Sequence, residues 1–191
     1  MTYFISDTHF YHKNIIKYCN RPFTSIEEMN SVLINNWNRV VSHEDIIYVI
    51  GDFMMGGKTE FIDLIFRLHG NIKFILGSHD KVLQKLNLLE LKKNLLYKDR
   101  LDRIDIFQDR IVEIYIQKQH ITLCHYAMRV WPKSHYNSWL LYGHSHNRLP
   151  DWGKSYDVGV DSNNFTPISF NKIKSIMGKK DNNFNFINKR R

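Results

Sequence analysis

The chain has 191 residues, of which 43% are hydrophobic and 24% charged, and its formal net charge is +8. This length suffices for one domain with a substantial core, and the composition is that of a globular protein. No run approaches the roughly 20 apolar residues of a membrane helix, the first residues lack signal-peptide features, and two cysteines give no disulfide framework. The basic excess favours anionic partners, although solubility alone explains it equally well.

The predicted elements of the first half alternate strands with helices. Short apolar runs that end abruptly in polar residues predict strands at 2–6, 46–50 and 71–76. Apolar residues at helical spacing predict helices at 25–41, 58–68 and 81–91, and Ser25 with Glu28 has the spacing of a capping box. This half therefore predicts a βαβαβ arrangement with parallel strands.

The second half is dominated by predicted strands, at 111–116, 121–124, 139–142, 155–160 and 167–170, followed by a helix at 171–177. Two stacked sheets with helices outside them satisfy both halves. We expect one domain over 1–178 and a basic tail over 179–191. That tail could track a phosphate backbone, and it could equally be a solvated end.

Residues able to bind metal follow five of the predicted strands. The candidates are Asp7, His9, Asp52, His79, His125, His144 and His146. Each motif alone is weak, because Asp-x-His and Gly-Asp are common. Parallel strands bring their carboxyl ends to one edge of a sheet, so the five motifs together predict a cluster of nitrogen and oxygen metal ligands.

The ordered series of motifs resembles the calcineurin-like metallophosphoesterase superfamily. It comprises Asp7-x-His9, Gly51-Asp52, Gly77-Ser78-His79-Asp80, His125 and Gly143-His144-Ser145-His146. The later stretches 158–161 and 167–170 also resemble the small single-domain members of bacteria and phages. The resemblance implies an α/β fold, a four-layer α/β/β/α sandwich of two mixed sheets with a metal centre at the carboxyl edge of the strands. It also implies a cytoplasmic protein of a bacterial or phage-infected cell.

The resemblance further implies two divalent metal ions, with manganese favoured and iron, nickel, cobalt or zinc as alternatives. Asp7, His9 and His146 would hold the first metal. His125 and His144 would hold the second, and Asp52 would bridge both. The family carries a ligating asparagine where this chain has Ser78. Because a neutral hydroxyl is a poor ligand, we expect Ser78 to leave a weaker or more hydrated second site.

The implied activity is hydrolysis of a phosphodiester, in a nucleotide or at a nucleic-acid end, by a hydroxide that bridges the metals. His79 would protonate the leaving oxygen and Asp80 would orient His79, although Asp80 also suits a helix N-cap. Four residues are candidate contacts to the substrate phosphate: His12, Asn14, Arg21 and Arg129.

Three alternatives stay open at this stage. A phosphomonoesterase would use the same ligands. Ser78 suits a catalytically weakened binding or scaffold module. A nucleic-acid-binding protein with a structural metal would show salt-sensitive binding without turnover.

Overall fold

The computed structural model describes residues 1–150 and 152–187 and contains nine strands in that part of the chain. They are β1 (Thr2–Ile5), β2 (Ile46–Ile50), β3 (Asn71–Ile75), β4 (Ile104–Phe107), β5 (Ile111–Ile116), β6 (Gln119–Cys124), β7 (Trp139–Tyr142), β8 (Ser155–Asp157) and β9 (Ile168–Ser169). One sheet has the order β4-β3-β2-β1-β9 and the other the order β5-β6-β7-β8.

Both sheets are mixed. Strands β1 to β4 run parallel, and β9 pairs antiparallel with β1. In the second sheet β5 is antiparallel to β6, whereas β6, β7 and β8 run parallel. The parallel order of β1, β2 and β3 confirms the predicted βαβαβ arrangement. It also brings the carboxyl ends of these strands to one edge.

Seven α-helices lie in the described residues. They are α1 (Lys13–Tyr18), α2 (Ile26–Val40), α3 (Lys58–Arg67), α4 (Lys81–Lys85), α5 (Leu88–Leu91), α6 (Leu95–Leu101) and α7 (Phe170–Lys179). The hydroxyl of Ser25 accepts the Glu28 N–H at 3.1 Å and starts α2 as predicted. Within the two described stretches, no helix combines the length and the apolar character that a bilayer crossing needs.

Two apolar cores hold the layers together. The first joins one face of the five-stranded sheet to α2 and α3, through buried residues such as Leu33, Trp37 and Phe61. The second joins the two sheets, with Ile50 on one side and Leu123 on the other, and α7 contributes to it. Full burial of each large apolar side chain adds about 1.5–3 kcal/mol to the free energy of unfolding. The molecule is therefore a mixed α/β fold with two mixed sheets.

A loop packs on the outer face of the second sheet. Leu140 and Tyr142 of β7 point to this face, and Trp131 packs on them from the loop 126–138. The Trp131 indole N–H donates to the Ser138 carbonyl at 3.1 Å and fixes the loop. Within the described residues, α7 instead joins the core between the sheets. The described residues on this face thus include a loop packed on β7, and the four-layer arrangement stays a prediction.

The predicted tail begins as a docked segment. Lys179 ends α7, and the chain continues against the loop 126–138. The Asn183 amide donates to the carbonyls of Ser134 at 2.8 Å and Ser138 at 3.0 Å, and the Ile187 N–H donates to the His135 carbonyl at 2.9 Å. These bonds hold 180–187 in place. The last four residues of the predicted tail, 188–191, lie outside the described residues.

Candidate metal centre

The loops that follow β1, β2, β3, β6 and β7 converge at one end of the two sheets. Among the described residues, three groups of side chains have their ligand atoms within 4.8 Å of one another, and one of them, Cys19, His146 and Asp161, shares His146 with another. The other two groups contain the predicted ligands. The first group is Asp7, His9 and His146, and the second is Asp52, His125 and His144. These are six of the seven residues that the sequence analysis assigns to metal binding, divided as the resemblance implies.

Asp52 connects the two groups. Its Oδ2 lies 3.7 Å from His9 Nε2 and 3.3 Å from His125 Nε2. In the first group, His146 Nε2 lies 3.8 Å from Asp7 Oδ1. Two ligand atoms that are each about 2.1 Å from one ion are about 3.0–3.5 Å apart. The observed spacings are therefore close to those of ligands that share an ion.

Two of the imidazole nitrogens that face the carboxylates make no hydrogen bond within the described residues. His9 Nε2 and His125 Nε2 are buried without a hydrogen bond. An unsatisfied buried polar atom costs about 1–3 kcal/mol. The opposite nitrogens are engaged, because His125 Nδ1 bonds the Ile50 carbonyl at 2.9 Å and His146 Nδ1 bonds Asp161 at 2.7 Å. Metal-binding histidines are commonly oriented in this way, so the donor set fits divalent ions.

The backbone is strained at most of the candidate ligands. Five of them have left-handed φ angles of 47° to 67°: Asp7, His9, Asp52, His144 and His146. Such non-glycine conformations cost about 1–3 kcal/mol each and cluster at functional sites. The loops also approach closely, since a Cβ on Gly143 would lie 2.0 Å from the Ser6 hydroxyl. The strain turns each side chain toward the common centre.

The electrostatics of the cluster suit a cation. Burial raises the pKa of Asp7 to about 6 and lowers that of His9 to about 2. Burial also opposes ionisation of Asp52, but the adjacent His125 outweighs it and holds the pKa of Asp52 below its ordinary value. A nearby cation favours ionised carboxylates and neutral imidazoles. The cluster therefore has the protonation states of a ligand set once a metal is bound.

Asp80 has a different partner from the predicted one. Its carboxylate accepts hydrogen bonds from the backbone N–H groups of Asp52 and Phe53, both at 2.8 Å, and of Gly77 at 2.7 Å. Asp80 is 1% exposed, and its side chain makes no N-cap bond to α4. Asp80 therefore occupies the predicted N-cap position of α4 without capping it through its side chain. Among the described residues its carboxylate bonds these three backbone donors and not His79, so the predicted bond to His79 is not observed. Asp80 instead joins the loops after β2 and β3.

His79 and Ser78 both approach Asp52. His79 Nε2 lies 4.0 Å from Asp52 Oδ2, and 46% of the His79 side chain is exposed. The His79 backbone N–H donates to Asp52 Oδ1 at 2.8 Å. The Ser78 hydroxyl donates to Asp52 Oδ2 at 3.0 Å. Ser78 is therefore positioned by the carboxylate that the resemblance assigns as the bridge.

Arg21 is directed into the protein, not toward a substrate. Its Nε donates to Oδ1 of Asp161 and its Nη2 donates to Oδ2, each at 2.9 Å. Its other contacts are the carbonyls of Asp7 at 2.7 Å and Thr8 at 3.0 Å, and the Met29 sulfur at 3.5 Å. The guanidinium has five N–H groups, and all are occupied. The predicted phosphate contact is therefore wrong, because Arg21 organises Asp161 and the first ligand loop.

Comparison with known proteins places the chain among uncharacterised relatives. No known family profile matches it. It is 36% identical over 186 residues to the uncharacterised protein MJ1445 of Methanocaldococcus jannaschii, which covers 93% of this chain and 91% of that protein. The chain belongs to the family of that protein.

Two solved structures are similar to this chain to different degrees. The protein of unknown function AQ665 from Aquifex aeolicus has a TM-score of 0.65 and 26% identity, covering 92% of this chain and 98% of that one. An archaeal phosphodiesterase has a TM-score of 0.45 and 17% identity, covering 83% and 81%. The first likeness establishes that the fold is shared with the Aquifex protein.

The remaining predicted substrate contacts are dispersed. His12 lies in the cleft over the ligands, with its Nδ1 3.4 Å from His9 Nδ1. Asn14 is exposed on α1 and does not line that cleft. Arg129 is exposed and lines a neighbouring cavity, together with Trp152. Of these three, only His12 is beside the candidate metal centre.

Residues that the sequence analysis missed complete the cleft, which has a volume of about 250 Å³. Arg148 lines it and donates to the Tyr18 carbonyl at 2.7 Å. Asp161 holds His146. The position of Arg148, two residues after His146, was a signal that could have identified it, since Arg readily binds phosphate. Asp161 gave no such signal beyond its place in the stretch 158–161.

Proposed function

We propose that this chain is a metal-dependent phosphoesterase that hydrolyses a phosphodiester. The observation that carries the proposal is the pair of ligand groups joined at Asp52, whose buried imidazole nitrogens face its carboxylate without a hydrogen bond in the described residues. Divalent ions at these groups would neutralise charge on the phosphoryl oxygens and acidify water. Manganese is the ion that we favour, with iron, nickel, cobalt or zinc as alternatives, because the groups offer both carboxylates and imidazoles.

The side chains of this centre would perform three tasks. Asp7 and Asp52, buried and ionised, would hold cations at the floor of the cleft. His79 is exposed at the mouth of the cleft and 4.0 Å from Asp52, so it would deliver a proton to the leaving oxygen. Arg148 would bind a non-bridging phosphate oxygen, because its guanidinium has N–H groups beyond the one that it gives to Tyr18.

A diester of a nucleotide or a nucleic-acid end is the favoured substrate class. The net charge of +8 attracts polyanions, which supports this substrate class. A phosphomonoesterase with the same ligands is the alternative within this reaction class. A binding module is the other alternative, for which Ser78, bonded to Asp52 in place of a ligating amide, is the supporting observation.

The test is hydrolysis of bis(4-nitrophenyl) phosphate by chelator-stripped protein, with and without Mn²⁺, beside 4-nitrophenyl phosphate. We expect Mn-dependent release with the diester turned over faster. The Asp52→Asn variant should be inactive. The His43→Ala variant is the matched control, since His43 precedes β2 and Asp52 follows it, at opposite ends of the strand. Faster turnover of the monoester would favour the phosphomonoesterase, and no turnover with any metal would favour the binding module.

A further inference from the structure

Two exposed tyrosines stand beside the two ligand groups. Tyr18, at the end of α1, is 62% exposed, and its ring centroid lies 6.1 Å from that of His12. The His12 ring in turn lies 5.3 Å from that of His9, in the first group. Tyr126 is 39% exposed, with its ring 5.1 Å from His125 and 4.8 Å from His144 in the second group. Each tyrosine therefore adjoins a different half of the centre.

Both rings are available for contact with a ligand. Within residues 1–150 and 152–187, neither phenol oxygen has a hydrogen-bond partner. Tyr18 lines the cleft over the ligands. Tyr126 directly precedes Ala127, which lines a mostly apolar neighbouring cavity of about 360 Å³. One exposed ring thus lines the cleft, and the other lies against the second ligand group.

An arginine accompanies each tyrosine. Arg148 shares the cleft with Tyr18 and bonds its carbonyl. Arg129, three residues after Tyr126, lines the neighbouring cavity with Trp152. Proteins that bind single-stranded nucleic acid combine aromatic rings, on which successive bases stack, with cationic groups along the backbone. A small phosphate ester would need this combination on one side only.

We propose that the substrate is single-stranded nucleic acid, with a base stacked on Tyr18 and another on Tyr126 on either side of the scissile phosphate. This inference rests on the proposed function for its chemistry. The stacking itself requires no metal, because neither ring belongs to the ligand groups. Duplex is disfavoured as a ligand, since its bases are paired and cannot be splayed onto two separate rings.

The test is fluorescence anisotropy of a short labelled oligothymidylate with protein held in chelator. Tyr18→Ala and Tyr126→Ala should each weaken binding by about tenfold or more, and the corresponding phenylalanine variants should retain it. Tyr115→Ala is the matched control. Tyr115 lies on β5 and is nearly as exposed as Tyr18, at 61%, and its ring contacts Lys133. Thermal unfolding of each variant checks that the fold is intact.

Three results would overturn the inference: no oligonucleotide binding by the wild type, equal binding by the alanine variants, or tighter binding of duplex. Because the titration is metal-free, its outcome is separate from that of the proposed function. Oligonucleotide binding without turnover of any ester would contradict the proposed phosphoesterase activity but support the stacking surface. Turnover of bis(4-nitrophenyl) phosphate without oligonucleotide binding would support the phosphoesterase activity and contradict the stacking surface.

Discussion

The carboxylate of Asp80 accepts the backbone N–H of Asp52 at 2.8 Å, although the two residues are 28 positions apart. With the bonds from Phe53 and Gly77, this contact ties the loop after β2 to the loop after β3. Asp52 is the residue that joins the two ligand groups. The geometry of the centre therefore depends on a buried side chain that binds no metal itself.

Replacing Asp80 tests this dependence. Asp80→Asn keeps one accepting oxygen, so at least one buried backbone N–H loses its partner, at a cost of about 1–3 kcal/mol. We expect a lower melting temperature in metal-free protein and weaker Mn²⁺ binding. Asp105→Asn, at an exposed residue paired with Lys73, is the control and should change neither. Unaltered stability, with a rate loss confined to poor leaving groups, would restore Asp80 as a partner of His79.

Arg21 gives a second prediction. Arg21→Lys cannot reproduce five hydrogen bonds, and breaking a buried ion pair costs about 3–5 kcal/mol. We expect a large loss of stability together with weaker metal binding, because Asp161 would no longer be fixed against His146. Arg67→Lys, in an exposed pair with Asp63, should cost less than about 1 kcal/mol. A higher KM with unchanged melting temperature and metal affinity would mean that Arg21 contacts substrate after all.

Ser78 is predicted to limit the second group. In Ser78→Asn the amide oxygen supplies an additional ligand near Asp52, so half-maximal activity should require less Mn²⁺. The measurement is a Mn²⁺ titration of diester hydrolysis, with Ser42→Asn at an exposed position as the control. An identical titration curve for Ser78→Asn would show that the hydroxyl does not restrict metal binding.

His79 is predicted to serve as a proton donor. General acid catalysis typically contributes about 10²–10⁴-fold, and the need for it grows with the basicity of the leaving oxygen. His79→Ala should therefore slow an alkyl ester far more than a 4-nitrophenyl ester. The rates of His79→Ala on the two esters are measured beside those of His43→Ala. His43→Ala should hydrolyse both esters at the wild-type rates. An equal loss of rate on both esters would show that His79 is not the proton donor.

The sequence was sufficient to predict the strands that precede the candidate ligands. Apolar runs at 46–50 and 139–142 match β2 and β7, and the polar residues after them lie in one cluster. Strand β4 was not predicted, because Ile104–Phe107 is only four residues long and Asp105 interrupts its apolar run. The helix expected at 81–91 is two short helices, since Asn87 caps the second by accepting the Glu90 N–H.

Roles that depend on distant partners were not predictable. The ion pair of Arg21 and Asp161 spans 140 residues, and no local pattern connects them. An arginine close to a ligand motif suggested a phosphate contact, whereas the fold supplies an internal carboxylate that takes up the guanidinium. The partners of Asp80 were not predicted for the same reason, because its donors are backbone groups of another loop. Residue type and spacing were enough to select the candidate ligands, but only the tertiary structure shows which side chains position them.

The claim on which the account depends most is that Asp52 joins two metal sites. Calorimetric titration of Mn²⁺ into the chelator-stripped protein tests it directly. We expect two ions per chain for the wild type and for His43→Ala, and weakened binding of both ions in Asp52→Asn. Absence of Mn²⁺ binding, or a titration that Asp52→Asn leaves unchanged, would contradict it.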